Sequence, residues 1–199
     1  MDHYYTIDRP SVAEFKDRGS RFIGYAYPVE QPEDFKKHLQ ALKKEHPKAV
    51  HHCFAYRMGI TGDQFRVSDD GEPAGTAGKP ILGQIDSKKL TNVTIIVVRY
   101  FGGTLLGVPG LINAYKTTAS LVLQMVPVIQ KPVLVTYTAA FDYTALNDIM
   151  HIIKQYHCQV LEQNIQLFSN MKIGVPLQRL EEVLYKLSEL RNVELKKIL

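Results

Sequence analysis

The sequence predicts an α+β chain of two domains, a larger mixed domain over residues 1–131 and a smaller one over 132–199. Three observations predict it. Beyond residue 132, patterns of period two and period 3.6 alternate in the order β-α-β-β-α-β within fewer than seventy residues. The stretch Asn92–Tyr100 (NVTIIVVRY) is almost wholly apolar, as in a strand covered on both faces. Pro127 and Pro132 flank a short extended connection where one domain can end.

Each element has a local reason. The first thirty residues read as extended, with Val12–Lys16 and Phe22–Val29 flanking the turn Asp17-Arg18-Gly19-Ser20. Pro32 suits a first helical turn, and Phe35, Leu39 and Leu42 recur at helical spacing. Lys36, Lys37, Lys43 and Lys44 stack along the outer face of that helix, which Pro47 ends. His51–Met58 is a strand, Gly59–Asp63 a turn, and Phe65–Ser68 a second strand. A short helix is expected at Pro80–Ile85, and a longer one at Pro109–Gln124 with Asn113, Lys116, Thr117, Ser120 and Gln124 on its polar stripe.

In the smaller domain, Val133–Phe141 is a strand, and Asp142 can cap a helix with core face Leu146, Ile149, Met150, Ile153 and Tyr156. Strands follow at Gln159–Glu162 and Ile165–Val175. A leucine-striped helix spans Leu177 to Leu190, and Val193–Ile198 closes the domain. This order is the ferredoxin-like arrangement.

Composition sets broad bounds. The chain of 199 residues is 45% hydrophobic and 22% charged, ordinary for a globular protein. No apolar run approaches the ~20 residues that span a bilayer. No basic segment followed by an apolar one opens the chain, so no export signal and no membrane partner are expected. The two cysteines, Cys53 and Cys158, are then expected as reduced thiols in the cytoplasm. The net charge of +4 sits in the first part: 17 Lys and Arg against 13 Asp and Glu up to residue 132, and 7 against 7 after it. Such a bias permits an anionic partner without requiring one.

Two glycine-rich blocks stand out, SDDGEPAGTAGKP (68–80) and RYFGGTLLGVPG (99–110). In the first, Gly71, Gly75 and Gly78 precede a helix start, where free N–H groups favour an anion and Lys79 would add charge. It is not the Walker A loop, because Pro73 and Pro80 stand where glycine and Ser or Thr are needed. On spacing alone a tight turn of small residues is the better reading, because glycine loops are common and unspecific. Asp69, Asp70 and Glu72 could hold Mg²⁺ or pair with Arg57, Arg66 or Arg99. In the second block, Arg99 ends a buried strand, so it could meet a phosphate or form an internal salt bridge. Tyr100 or Phe101 could stack on a base. His51 and Cys53 share one strand face, but no second ligand pair at useful spacing makes a zinc site. No nucleophile elbow or acid/base pair is present.

The segments HHCFAYRMG (51–59), RVSDDGEPAGTAGKPIL (66–82), NVTIIVVRYFGGTLLG (92–107) and PGLINAY (109–115) together resemble the YigZ/IMPACT family, the former uncharacterised protein family 29. The resemblance covers about residues 15–125, and 133–199 is similar to the C-terminal domain of bacterial members. It implies a first domain like ribosomal protein S5 domain 2, and a domain pair similar to domains IV and V of elongation factor G. It also implies a link to translation, with eukaryotic members regulating the kinase response to amino-acid starvation, and no catalytic residue or cofactor. Asn113 stands where the family commonly has arginine, and Pro109 where it has glycine.

The expected function is therefore a non-enzymatic, translation-associated protein that binds RNA or the ribosome. Its anion-binding set would be Arg57, Arg66, Gly75, Thr76, Gly78, Lys79, Arg99, Tyr100, Gly102, Gly103, Asn113 and Tyr115. A Mg²⁺-dependent enzyme acting on a phosphorylated small molecule, with Asp69 and Asp70 holding the metal, and a module docking a protein partner are the two alternatives.

Overall fold

The computed structural model describes residues 1–198 and divides into two compact units, Tyr4–Lys131 and residues 132 onward together with Met1–His3. The first three residues therefore group with the second unit, where Val133 N–H donates to the Asp2 carbonyl at 2.8 Å.

The first unit holds β1 (His3–Ile7), β2 (Ser11–Asp17), β3 (Ser20–Pro28), α1 (Pro32–Glu45), β4 (His51–Met58), β5 (Gln64–Ser68), α2 (Gly78–Ser87), β6 (Val93–Tyr100), α3 (Gly107–Gln124) and β7 (Val128–Pro132). Five strands form one antiparallel sheet in the order β2-β3-β6-β4-β5. The β2–β3 hairpin turns at Arg18 and Gly19, both at positive φ (44° and 82°), which matches the right-handed twist of the strands. The segment between Pro127 and Pro132, read as a linker, is β7, which pairs with β1.

Central β6 explains the layering. Every residue from Val93 to Arg99 is buried. Val93, Ile95 and Val97 point to one face, against Ile81 and Ile85 of α2 and Ala114, Tyr115 and Ala119 of α3. Ile96 and Val98 point to the other, against Phe35 and Leu42 of α1. Full burial of each such aliphatic side chain contributes roughly 1.5–3 kcal/mol, so a strand with no polar side fits only this central position. Gly78, at the start of α2, lies so close to β5 that a Cβ would come within 2.8 Å of the Ser68 nitrogen.

The second unit holds β8 (Leu134–Asp142), α4 (Leu146–Gln155), β9 (Gln159–Asn164), β10 (Phe168–Pro176), α5 (Leu180–Ser188) and β11 (Val193–Lys197). Its antiparallel sheet has the order β11-β8-β10-β9. Ala139, Phe141, Met171 and Ile173 pack with Ile149, Ile153, Val183 and Leu187 of the helices. Two local expectations are corrected. Asp142 makes no side-chain cap, because a 3₁₀ turn at Tyr143–Ala145 intervenes before α4. β10 begins at Phe168 rather than Ile165, because Ser169 Oγ accepts from Gln166 N–H at 3.0 Å and donates to Gln166 O at 2.6 Å, which bends the chain there.

Candidate functional site: a buried arginine–glutamate pair and its pocket

The site begins with strand register. β4 pairs with β6 so that His51 lies opposite Arg99. After β5 the first glycine block folds back over the start of β4. Asp69 organises this fold: its Oδ1 accepts from Ala77 N–H (3.0 Å) and Gly78 N–H (2.8 Å), and its Oδ2 from Gly75 N–H (2.8 Å). Burial pushes the Asp69 carboxyl up, but these N–H groups and Lys79 outweigh it and hold it below the usual carboxylate range. The anion at the start of α2 is thus the chain's own. The N–H groups of Gly75 and Gly78 expected to cradle a phosphate are already taken.

Asp70, at φ 41°, faces β4. Its Oδ2 accepts from His52 N–H at 2.7 Å, and its carbonyl accepts from His51 Nδ1 at 2.7 Å. Cys53 Sγ donates to the Asp69 carbonyl at 3.0 Å, and burial pushes its thiol far up, away from the reactive thiolate.

Glu72 reaches the interior, its side chain 3% exposed. Its Oε1 accepts from Arg99 Nη1 and from the Tyr115 hydroxyl, each at 2.6 Å. Arg99 also donates to Ser20 Oγ at 3.4 Å, and Ser20 Oγ accepts from Gly102 N–H at 3.1 Å. The Arg99 guanidinium lies 5.3 Å from the Phe22 ring centre and 5.7 Å from that of Phe101. Burial raises the Tyr115 hydroxyl far above its ordinary value, so it stays a donor to Glu72. Arg99 therefore forms the internal salt bridge, one of the two readings its position allowed.

Apart from Gly102, whose N–H meets Ser20 Oγ, the other candidate residues do not join this cluster. Tyr100 points to the opposite sheet face, where its hydroxyl meets His46 Nδ1 at 2.8 Å. Arg57 donates to Asp86 at 2.8 Å and to the Gly62 carbonyl at 2.5 Å. Thr76 is buried, and its hydroxyl donates to the Pro73 carbonyl. Arg66, Lys79 and Asn113 are exposed. Gly102 crosses Gly19, and Gly103 is at φ 86°. Asp69, Asp70 and Glu72 each face their own protein partners. Among the described residues no three His, Cys, Asp or Glu side chains are placed to hold a metal ion.

Sequence reasoning missed two features. Ser20, Phe22 and His51 belong to the network, though nothing in their spacing links them to Glu72. A pocket of about 400 Å³ also opens beside the ion pair. Its walls include Val50, Pro73, Leu105, Val108 and Leu111, with His51, Glu72 and Arg99 also lining it. The signal was present in TLLGVPG, where apolar residues fall outside any strand; Leu105 is 82% exposed.

Comparison with known proteins agrees with the motif pattern. The family model for the Impact N-terminal domain matches residues 18–123. The IMPACT family member YigZ of Escherichia coli K12 is 35% identical over 191 residues, which cover 95% of this chain and 94% of that one. Protein IMPACT of Mus musculus is 36% identical over 110 residues, 51% of this chain and 34% of its own. A solved structure described as that of a hypothetical protein superposes with a TM-score of 0.77 at 32% identity, covering 100% of this chain and 98% of the other. With residues 18–123 matched by the family model and 95% of its length aligned with YigZ, this chain belongs to the IMPACT family.

Proposed function

We propose that the protein is a non-enzymatic regulator associated with translation, acting in the cytoplasm by binding RNA or the ribosome. Family membership supports the link to translation, since that is the role the resemblance implies. The observation that carries the binding surface is on α1. Lys37, Lys43 and Lys44 are exposed and, among the described residues, form no ion pair with a carboxylate. Lys36 is only loosely held, 3.7 Å from Glu33. The exposed Arg66 and Lys79 are two further candidates. In the first glycine block the Asp69, Asp70 and Glu72 carboxylates and the N–H groups of Gly75 and Gly78 already have partners within the protein, which leaves Lys79 as its exposed cation.

The fold assignment belongs to the same proposal. The first unit is read as a ribosomal protein S5 domain 2-like domain, supported by its βα-rich antiparallel order. The second is read as ferredoxin-like, supported by the β-α-β-β-α-β order and the strand arrangement β11-β8-β10-β9. The pair would then be similar to domains IV and V of elongation factor G. No helix among the described residues is long and apolar enough to cross a membrane.

Filter binding of structured RNA across a salt series tests the reading. Affinity should fall linearly in log–log form, and reversing Lys37, Lys43 and Lys44 to Glu should remove most of it, together with co-sedimentation with ribosomes. Binding no stronger than that of a similarly basic control protein overturns it.

A further inference from the structure

The structure assigns a ligand to the pocket beside the Arg99–Glu72 pair: an uncharged aromatic molecule carrying a carbonyl oxygen, of the aryl ketone class. A guanidinium has donors on three nitrogens and no acceptor. Arg99 Nη1 donates to Glu72 Oε1 at 2.6 Å and Nη2 to Ser20 Oγ at 3.4 Å, while Nε is buried with no partner among the described residues. Arg99 is 5% exposed and lines the pocket. A buried donor on a charged group left unpaired is costly, and an acceptor brought to it relieves that cost. Because Nε is closed to solvent, that acceptor comes with a ligand that opens a way in. Phe101 is where the way opens. Its ring centre lies 5.7 Å from the guanidinium carbon, and it is 48% exposed, whereas Phe22 on the same cation is fully buried. An aromatic ligand entering beside Phe101 keeps a ring against the cation and carries an oxygen to Nε.

The rest of the pocket selects the body of the ligand. Val50, Pro73, Leu105, Val108 and Leu111 make its walls apolar, so most of the ligand is hydrocarbon. A volume of about 400 Å³ is in the range of small-molecule sites. Charge selects a neutral acceptor. Arg99 is the pocket's single Lys or Arg and Glu72 already neutralises it, so a phosphate finds no free cation. A carboxylate would sit beside Glu72, and an ammonium brings only donors. His51 does not alter this choice. Its Nε2 lies 3.8 Å from Glu72 Oε2, so a proton there is drawn to Glu72, and Arg99 Nε lacks an acceptor whether His51 is charged or neutral. This site is independent of the RNA surface on α1, and its test leaves that reading untouched.

The full chain is titrated with acetophenone and with α-methylstyrene, which has the same shape with a methylene in place of the oxygen, by calorimetry and by NMR of the arginine Nε–H groups. Acetophenone should bind saturably at one site and shift the Arg99 Nε–H resonance. α-Methylstyrene should bind at least about tenfold more weakly, the loss expected for one hydrogen bond from a charged donor, and leave that resonance in place. Val108, 52% exposed at the pocket wall and in the first turn of α3, accepts Glu without disturbing the core; Val108→Glu should keep the native circular dichroism and abolish acetophenone binding. If that variant loses its native spectrum, the paired compounds and the Nε–H resonance still decide the matter. Absence of saturable acetophenone binding, equal affinity for both compounds, an Arg99 Nε–H unmoved at saturation, or binding indifferent to a folded Val108→Glu would each overturn the proposal. Tighter binding of benzoate than of acetophenone would also overturn it, in favour of an anion site.

Discussion

The two faces of the five-stranded sheet bury polar groups in opposite ways. On the α2/α3 face the groups are charged and paired: Asp69 with three backbone N–H groups, Glu72 with Arg99 and Tyr115. On the α1 face they are rings. His46 bridges Tyr25 and Tyr100 at 2.7 and 2.8 Å, His38 stacks on Tyr27 with ring centres 3.9 Å apart, and His52 is buried with no partner for Nε2 among the described residues. Each face still leaves one buried nitrogen without a partner among the described residues, Arg99 Nε on the first and His52 Nε2 on the second, but on the first the charge itself is met by the Glu72 carboxylate. The glycine block lies on the charged face because only closely approaching backbone can surround a carboxylate with N–H groups.

The largest expected effect is on the charged face. Arg99→Ala strands Glu72 in the interior and should cost about 3–5 kcal/mol, read as a lowered urea midpoint. His46→Phe keeps the ring but removes both hydrogen bonds to tyrosine hydroxyls. It should cost about 1–3 kcal/mol, and restoring fit with Tyr25→Phe and Tyr100→Phe should recover part of that loss. If His46→Phe proves as costly as Arg99→Ala, the contrast between the faces fails.

The subtlest test is pH. Burial, first among its causes, lowers His52 below the ordinary 6.5, and burial does the same to His38. The folded chain then binds fewer protons at these sites than the unfolded chain, so stability falls as pH drops below about 6.5. Asp69 is also lowered, from an ordinary 3.8, so its stabilisation holds above that value and is lost as pH falls below it. Acid should therefore weaken the α1 face first and the α2/α3 face later. His52→Gln should flatten the dependence near pH 6 and leave the lower step in place, as followed by thermal melts.

Much of this architecture was legible in the sequence because it rests on periodicity. Strand β6 announces its two covered faces by having no polar side, and the bounds of β4 follow from its flanking turns. The β1–β7 pair was not legible, since two short strands bracketed by proline look like linker. The site was half legible. Arg99 is visible as a charge at a buried strand end, but Glu72 and Tyr115 lie 27 and 43 positions from their partners, and no spacing rule spans such distances. The glycines at 75 and 78 correctly signal backbone N–H groups gathered around an anion. What they cannot signal is that the anion is Asp69, six residues before Gly75.

The crossing of Gly102 over Gly19 carries a consequence for sequence variation. A Cβ on Gly102 would fall 1.9 Å from the Gly19 carbonyl carbon, so the obstacle is main chain and cannot be repacked. Gly103, one residue later, has open space around it and is constrained only by its φ of 86°. A saturation library should therefore lose every substitution at 102 yet retain Asn and Asp at 103. The tip of the first hairpin and the rim of the pocket can change in length only together, which makes this crossing a fixed point about which the surrounding loops can diversify.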